Sequence, residues 1–275
     1  MGKPYKFMIR CDMEGVSGIV SYEQAEPGKS EYDEGRRLFH CDLLALLAGL
    51  QEGGAGEIYI YDEHYYGRNI DLTRLPAGVC VYAGKPPYTA DWAGGIDESF
   101  DALILLGFHS MCGTTGALLN HTYEPDLRGL ILNGVRVGEI GMEAAVAGSF
   151  GVPLALITAD SAGVREAHSI VPEALAVTVK ESLSEFGALC YPEAVTSAAI
   201  RQAAAHLAAG PTPGTPYRLR APCRLEIEFF DTPFSRLYRA MYGEEAILAA
   251  DAARVWAEYR RRKEAVDSAL AAAGK

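Results

Sequence analysis

Strand-like and helix-like segments alternate through the first 160 residues, and this alternation predicts an α/β fold, a three-layer sandwich with a mostly parallel central sheet. Two further observations support it. Ala102-Leu103-Ile104-Leu105-Leu106-Gly107 is apolar throughout, as expected of a strand buried on both faces of a parallel sheet. Near residue 190 the composition shifts toward an Ala-rich helix, a Pro/Gly loop and a period-two strand, which predicts a smaller C-terminal α+β subdomain. The expected division is residues 1–190 as an α/β metal-binding catalytic domain and 191–275 as the subdomain.

In order, Lys6 to Asp12 reads as the first strand. Glu31 to Leu50 places Leu38, Cys41, Leu43, Leu44, Leu46, Leu47 and Leu50 on a broad apolar helix face, closed by Gly53-Gly54. Glu57 to Asp62 is a second strand and Val79 to Ala83 a third, ahead of the apolar run at 102–107. In Leu130 to Val137, Asn133-Gly134 separates two β-rich halves, the strongest hairpin signal in the chain. Gly138 to Phe150 reads as helix and Pro153 to Thr158 as another apolar strand, ending at Ala159-Asp160. Ala194 to Ala209 is a helix, Gly210 to Gly214 a loop, Arg224 to Phe229 a strand with one solvated face, and Phe234 to Tyr242 a helix. Residues 244–250 fit strand or helix, and Asp251 is placed to cap a last helix carrying Val255, Trp256, Tyr259, Val266 and Leu270. Arg260-Arg261-Arg262-Lys263 reads as a solvated face of that helix.

The chain has 275 residues with 49% apolar composition, sufficient for a buried core. A net charge of -11 argues against nucleic acid as the main partner, since phosphate binding needs a basic footprint. The six cysteines form no CxxC pair and read as buried thiols in a reducing compartment. The N-terminus opens on a strand pattern rather than a signal peptide, and no apolar run approaches the ~20 residues of a membrane span. A cytoplasmic protein with no membrane partner is the expectation.

Candidate chemistry collects after the strands. Asp12 and Glu14, in Cys11-Asp12-Met13-Glu14-Gly15-Val16-Ser17-Gly18, are two residues apart. On an extended backbone they point the same way, roughly 6.6 Å apart. Such carboxylates repel unless a cation lies between them, and a divalent metal meets that need. His64 closes the second strand, His109 closes the apolar strand, and Glu139 follows the hairpin. His121 sits in Leu119-Asn120-His121-Thr122, after the loop 112–116. Singly, each has an ordinary structural explanation: a hydrogen-bonded histidine, a first-turn glutamate, or a capping aspartate, as also for Asp160. The grouping is what points to chemistry, because three of six histidines fall at or beyond strand ends before residue 125, where open α/β sheets bind ligands. His40, His168 and His206 lie in helix-like segments. Asp12, Glu14 and Glu139 bring three negative charges, which suits two divalent ions with one hydroxide. Mixed histidine and carboxylate donors favour zinc, with manganese or cobalt as alternatives, over calcium or magnesium.

Asp12-Met13-Glu14-Gly15-Val16-Ser17-Gly18, Asp62-x-His64, Gly107-Phe108-His109, Asn120-His121-Thr122 and Gly138-Glu139-Ile140-Gly141 occur in this order. Together, over about residues 5 to 165, they resemble the D-aminopeptidase family of the dipeptide-transport operon, peptidase family M55. The resemblance implies a dinuclear zinc aminopeptidase acting on short peptides, with D-amino-acid preference. It implies that Asp12 bridges two Zn2+ ions, that Glu14 and His109 complete one site, and that His64 and Glu139 complete the other. His121 matches the family's catalytic histidine, described as nucleophile or general base, and a proton-transfer role suits it better beside an activated water. A homo-oligomer, decameric by the same resemblance, is implied too. Glu63 and Thr115 depart from the pattern, which has a small polar residue and a proline there, and bear on the pocket's shape.

Two other readings fit the same ligand set. A two-metal amidase or phosphoesterase would use identical ligands, with a basic clamp for phosphate, for which Arg10 and Arg68 are the nearest candidates and both read better as structural. A non-catalytic peptide-binding homologue predicts loss of a ligand or of His121, whereas all six positions are occupied.

Overall fold

The computed structural model describes residues 4–210 and 214–274, so positions 211–213 of the expected Pro/Gly loop lie outside the described residues. The chain runs β1 (Lys6–Cys11), α1 (Tyr22–Ala25), α2 (Tyr32–Glu52), β2 (Glu57–Asp62), β3 (Val79–Tyr82), β4 (Ala102–Phe108), β5 (Leu127–Leu132) and β6 (Val135–Val137). It continues through α3 (Glu139–Ser149), β7 (Leu154–Asp160), α4 (Ser161–Ile170), β8 (Leu175–Ser184), β9 (Gly187–Cys190) and α5 (Glu193–Ala209). The last elements are β10 (Cys223–Phe229), α6 (Pro233–Tyr242), β11 (Ile247–Ala249) and α7 (Ala252–Ala272).

The central sheet has the order β3-β2-β1-β4-β7-β8-β9 and is parallel apart from β9. Its strands alternate between two apolar cores. Phe7, Ile9, Ile104 and Leu106 face Leu43, Leu47, Ile200 and Leu207 of α2 and α5. Met8, Leu103 and Leu105 face the opposite layer, which includes Val146 of α3 and Trp256 and Tyr259 of α7. Burial on both faces is why the strand at 102–107 carries no polar residue. The three-layer mostly parallel α/β architecture expected from the sequence is the one observed.

Strand order reverses around β1: the chain fills one side with β2 and β3, then returns to the other with β4. The registers Cys11↔Asp62 and Cys11↔Leu106 align the carboxyl ends of the three strands. Residues just beyond them therefore leave the sheet at one rim, the usual ligand position of such folds.

A second, antiparallel sheet has the order β11-β10-β5-β6. The Asn133-Gly134 hairpin is present, with φ of 50° and 83°, the left-handed pair a tight two-residue turn requires. It joins β10 (Leu132↔Leu225), so residues on either side of position 190 share this sheet. The ambiguous 244–250 segment resolves into the short edge strand β11, and Asp251 caps α7, its Oδ1 accepting from Arg254 N at 2.9 Å. Helix α4 and the β8–β9 hairpin carry no clear pattern in the sequence. α4 starts directly from β7, with Asp160 as its N-cap, and the half-buried β8 carries Lys180 and Glu181 in its middle, which hides its strand pattern. All six cysteines are free, but Cys80 and Cys190 are exposed on β3 and β9 rather than buried as expected. No helix among the described residues is long and apolar enough to cross a membrane.

One contact fixes the rim. Gly15 N donates to Gly107 O at 2.8 Å, and a Cβ on Gly15 would lie 1.7 Å from Phe108 O. Only glycine permits this approach of the turn after β1 to the end of β4. Gly15→Ala is therefore expected to lower stability by about 1–3 kcal/mol through overpacking. An unchanged midpoint in denaturant titration would show that the turn and β4 do not meet.

Candidate metal centre

All six residues singled out in the sequence converge. Asp12, Glu14, His64, His121 and Glu139 line a cavity of about 760 Å³, and His109 is buried against them. His64 Nδ1 lies 2.8 Å from Asp12 Oδ1 and 3.3 Å from Glu14 Oε2. His109 Nε2 lies 3.3 Å from both Asp12 Oδ2 and Glu139 Oε1. Donor atoms of Asp12, Glu14 and His109 come within 4.8 Å of one another, as do those of His109, His121 and Glu139.

The route to this convergence differs from the one expected. Asp12 and Glu14 do not sit on extended backbone; β1 ends at Cys11 and residues 13–18 form turns. Lys180 of β8, wholly buried, pins that turn: its Nζ donates to Glu14 O and Val16 O at 2.7 Å and to Ile19 O at 2.5 Å. Burial pulls its ammonium down to about 8. Asp62 accepts from Asn69 N and Nδ2 at 2.7 and 2.8 Å, and Asn69 Nδ2 also donates to His64 O at 2.8 Å, which holds the loop carrying His64. Neither Lys180 nor Asn69 carried a sequence signal, because each acts through backbone carbonyls or a structural aspartate.

Backbone carbonyls set the imidazole tautomers. His64 Nε2 faces Ala25 O, the last residue of α1, at 2.8 Å, and His109 Nδ1 faces Ser110 O at 3.0 Å. A carbonyl only accepts, so these nitrogens carry hydrogen, and in a neutral ring the opposite nitrogen turns a lone pair toward the carboxylates. Lone pairs facing carboxylate oxygens repel unless a cation intervenes. Asp12 Oδ2, Glu14 Oε2 and His109 Nε2 are all buried without a hydrogen-bond partner, as unfilled ligand atoms would be. The donor set fits a zinc-type ion.

The electrostatics agree. Burial opposes the charge on Asp12, but contact with the His109 and His64 imidazoles overcomes it and holds the carboxyl well below its usual range. Burial likewise opposes charge on His64 and His109. Glu14 and Asp12 nevertheless push His64 well above its ordinary value, and Glu139 and Asp12 do so for His109. Without a metal, protons supply the positive charge that the acids demand.

His121 is held differently. Its Nδ1 faces Leu119 O at 3.0 Å, leaving Nε2 toward Glu139 Oε1 at 3.8 Å, and its ring stacks on His109 with centroids 4.1 Å apart. Leu119 and Tyr123, on either side, are non-glycine residues with φ of 47° and 52°. Leu119 N donates to Glu185 O at the β8–β9 turn (2.9 Å), and Tyr123 N donates to Glu139 Oε1 (2.6 Å). Glu166 accepts from Met111 N at 2.7 Å below this loop, and burial pushes its carboxyl up to about 7.

One expectation about cations holds and another changes. Arg10 is structural, as expected: it is buried, paired with Glu143 and with Glu63 (3.3 Å), and donates to Ala93 O. The run at 260–263 is not simply a solvated face. Arg261 is exposed and pairs with Glu258, whereas Arg260 and Lys263 line the cavity with Lys85. Three lysine or arginine side chains thus border a site whose sequence motifs show only acids and histidines.

The shifts give a signed pH dependence for chelator-treated protein. Raised histidine values stabilise the fold fully below about 6.5 and lose that contribution as pH climbs through them; the lowered Asp12 value contributes above about 3.9 and is lost only on acidification. The highest melting temperature is expected between these limits, with a decline above about pH 6.5. A melting temperature constant into the alkaline range would contradict the charge demand.

A D-aminopeptidase of Bacillus subtilis (strain 168) is 27% identical over 186 residues, covering 67% of each chain. The solved structure of the Zn-dependent D-aminopeptidase DppA from Bacillus subtilis, described as a self-compartmentalizing protease, superposes with a TM-score of 0.88 at 23% identity, over 95% of this chain and 97% of that one. The family model for D-aminopeptidases matches residues 5–266, nearly the whole chain, and on that match the chain belongs to the M55 peptidases, the D-aminopeptidase family of hydrolases.

Proposed function

We propose that this chain is a dinuclear zinc aminopeptidase that releases N-terminal residues, preferentially D-amino acids, from short peptides. The observation that carries the reading is the buried group of Asp12, Glu14 and His109 atoms that have no hydrogen-bond partner, beside His64 and Glu139. In this reading Asp12, Glu14, His64, His109 and Glu139 would hold the two ions, with Asp12 common to both, Glu14 and His109 on one, and His64 and Glu139 on the other. Membership of a D-aminopeptidase family supports the activity, and the zinc dependence of DppA supports the choice of metal. Zinc bound there supplies Lewis acidity and lowers the pKa of a water molecule.

The chain's own residues supply the rest. Amide hydrolysis moves one proton from the attacking water to the departing amine. His121 is placed to carry it: Leu119 O fixes hydrogen on Nδ1, and Nε2 faces the cavity beside Glu139 as acceptor, then donor. Glu139, at the first turn of α3, is held by Tyr123 N. Residues 1–190 supply the proposed ligands and residues 191–275 supply one wall of the pocket, the form in which the expected division enters this reading.

We also read the chain as a homo-oligomer, decameric as the family resemblance implies. The self-compartmentalizing description of DppA supports assembly, as do exposed Leu183, Phe186 and Leu189 on the β8–β9 hairpin. Six free cysteines support the cytoplasmic location expected from the sequence.

Purified protein is expected to contain two zinc ions per chain and to hydrolyse D-aminoacyl peptides, with activity lost to chelator and restored by zinc. His121→Ala should lower kcat by about 10²–10⁴-fold with metal retained. Unchanged turnover would remove the proton-carrying role. Asp12→Ala should lose both ions by elemental analysis, and full zinc content in that variant would refute a shared ligand.

A further inference from the structure

One cation in the cavity wall has no use in the chemistry above. Lys263 pairs with Glu124 (3.2 Å) and Asp267 (2.6 Å), and Lys85 Nζ donates to Glu63 O. Arg260 stands apart. It lines the same cavity, its Nε is buried without a hydrogen-bond partner, and Glu124 and Glu63 act on it through space without forming an ion pair among the described residues. Its guanidinium lies over the Tyr88 ring, 5.8 Å from the centroid, which leaves the hydrogen-bonding edge of the group unspent.

The position is built rather than incidental. Trp256, one helical turn earlier on α7, packs on Tyr123 with centroids 4.5 Å apart, and Tyr123 N holds Glu139. The helix that presents Arg260 is therefore tied directly to the candidate metal centre. Arg260 is half-buried with its Nε out of water and unpaired, and a planar anion that accepts two parallel N–H bonds would satisfy the guanidinium. The cavity volume of about 760 Å³ falls in the range that encloses small ligands, about 300–1,000 Å³. Carboxylates outnumber the cations in the lining, and Lys85 and Lys263 are already paired or hydrogen-bonded, which leaves Arg260 as the cation with donors to spare for an anionic ligand.

We propose that Arg260 receives the C-terminal carboxylate of the peptide, so that the site reads both ends of a very short substrate. This inference rests on the peptide-hydrolysis reading above and narrows its substrate class: peptides short enough for the carboxylate to reach α7 while the first amide lies at the metal centre. Longer peptides and C-terminally blocked peptides lose the contact.

The test compares D-alanyl-D-alanine with its C-terminal amide, which keeps the scissile bond and removes the charge. Zinc-loaded full-length protein is expected to favour the acid in kcat/KM by about 10–100-fold, mainly through KM. Arg260→Met should bring the acid-to-amide ratio close to one, and Arg260→Lys should retain an intermediate preference. A wild-type ratio near one, or a ratio unchanged in Arg260→Met, overturns the assignment; a general folding defect lowers both substrates and leaves the ratio intact. Calorimetric titration of both compounds into zinc-loaded His121→Ala protein gives a readout without turnover. Acid-selective binding that depends on Arg260, with no cleavage by wild-type protein, upholds the carboxylate site and defeats the hydrolase reading. Cleavage of both compounds alike does the reverse.

Discussion

The rest of the site is organised around one unfavourable contact: three carboxylates, Asp12, Glu14 and Glu139, gathered out of water at one rim of the sheet. Like charges in a low-dielectric setting cost several kcal/mol unless positive charge joins them. The imidazoles of His64 and His109 cannot resolve this as neutral groups, because Ala25 O and Ser110 O turn their lone pairs toward the acids. The arrangement is self-consistent with a metal, or with extra protons in its place.

Holding such a group together falls to the scaffold. Parallel pairing of β1 with β2 and β4 brings three chain segments to the same edge, and the close glycine contact between Gly15 and the end of β4 sets the turn. Lys180 gathers three carbonyls at that turn from β8, three strands away in the sheet order, a buried ammonium solvated by backbone instead of water. Asp62 and Asn69 do the same for the loop that bears His64. These supports explain why the acids and imidazoles converge even though the backbone of Asp12 and Glu14 is not extended.

Much of this was legible in the sequence. Uniform apolarity at 102–107 identified a central strand, Asn133-Gly134 identified the hairpin, and the five short motifs carried the six acids and imidazoles that converge at the rim. What escaped reading has a common cause. β8 carries Lys180 at a fully buried position, so a strand that packs a cation inward shows no apolar alternation. Arg260 and Lys263 sit in a basic run that resembles any solvated helix face, and tertiary packing of α7, including Trp256 on Tyr123, turns part of it toward the cavity. Long-range tertiary placement of charge leaves no local periodicity to detect.

The two left-handed residues that bracket His121 carry a further consequence. Backbone in that conformation costs of order 1–3 kcal/mol for a side chain larger than glycine, and it persists only where surroundings impose it. Here the surroundings are Glu185 O, near the opposite end of the sheet order, and Glu139, at the head of α3. The orientation of the His121 ring is thereby coupled to contacts between chain segments far apart in sequence, and it is set only when those segments have come together.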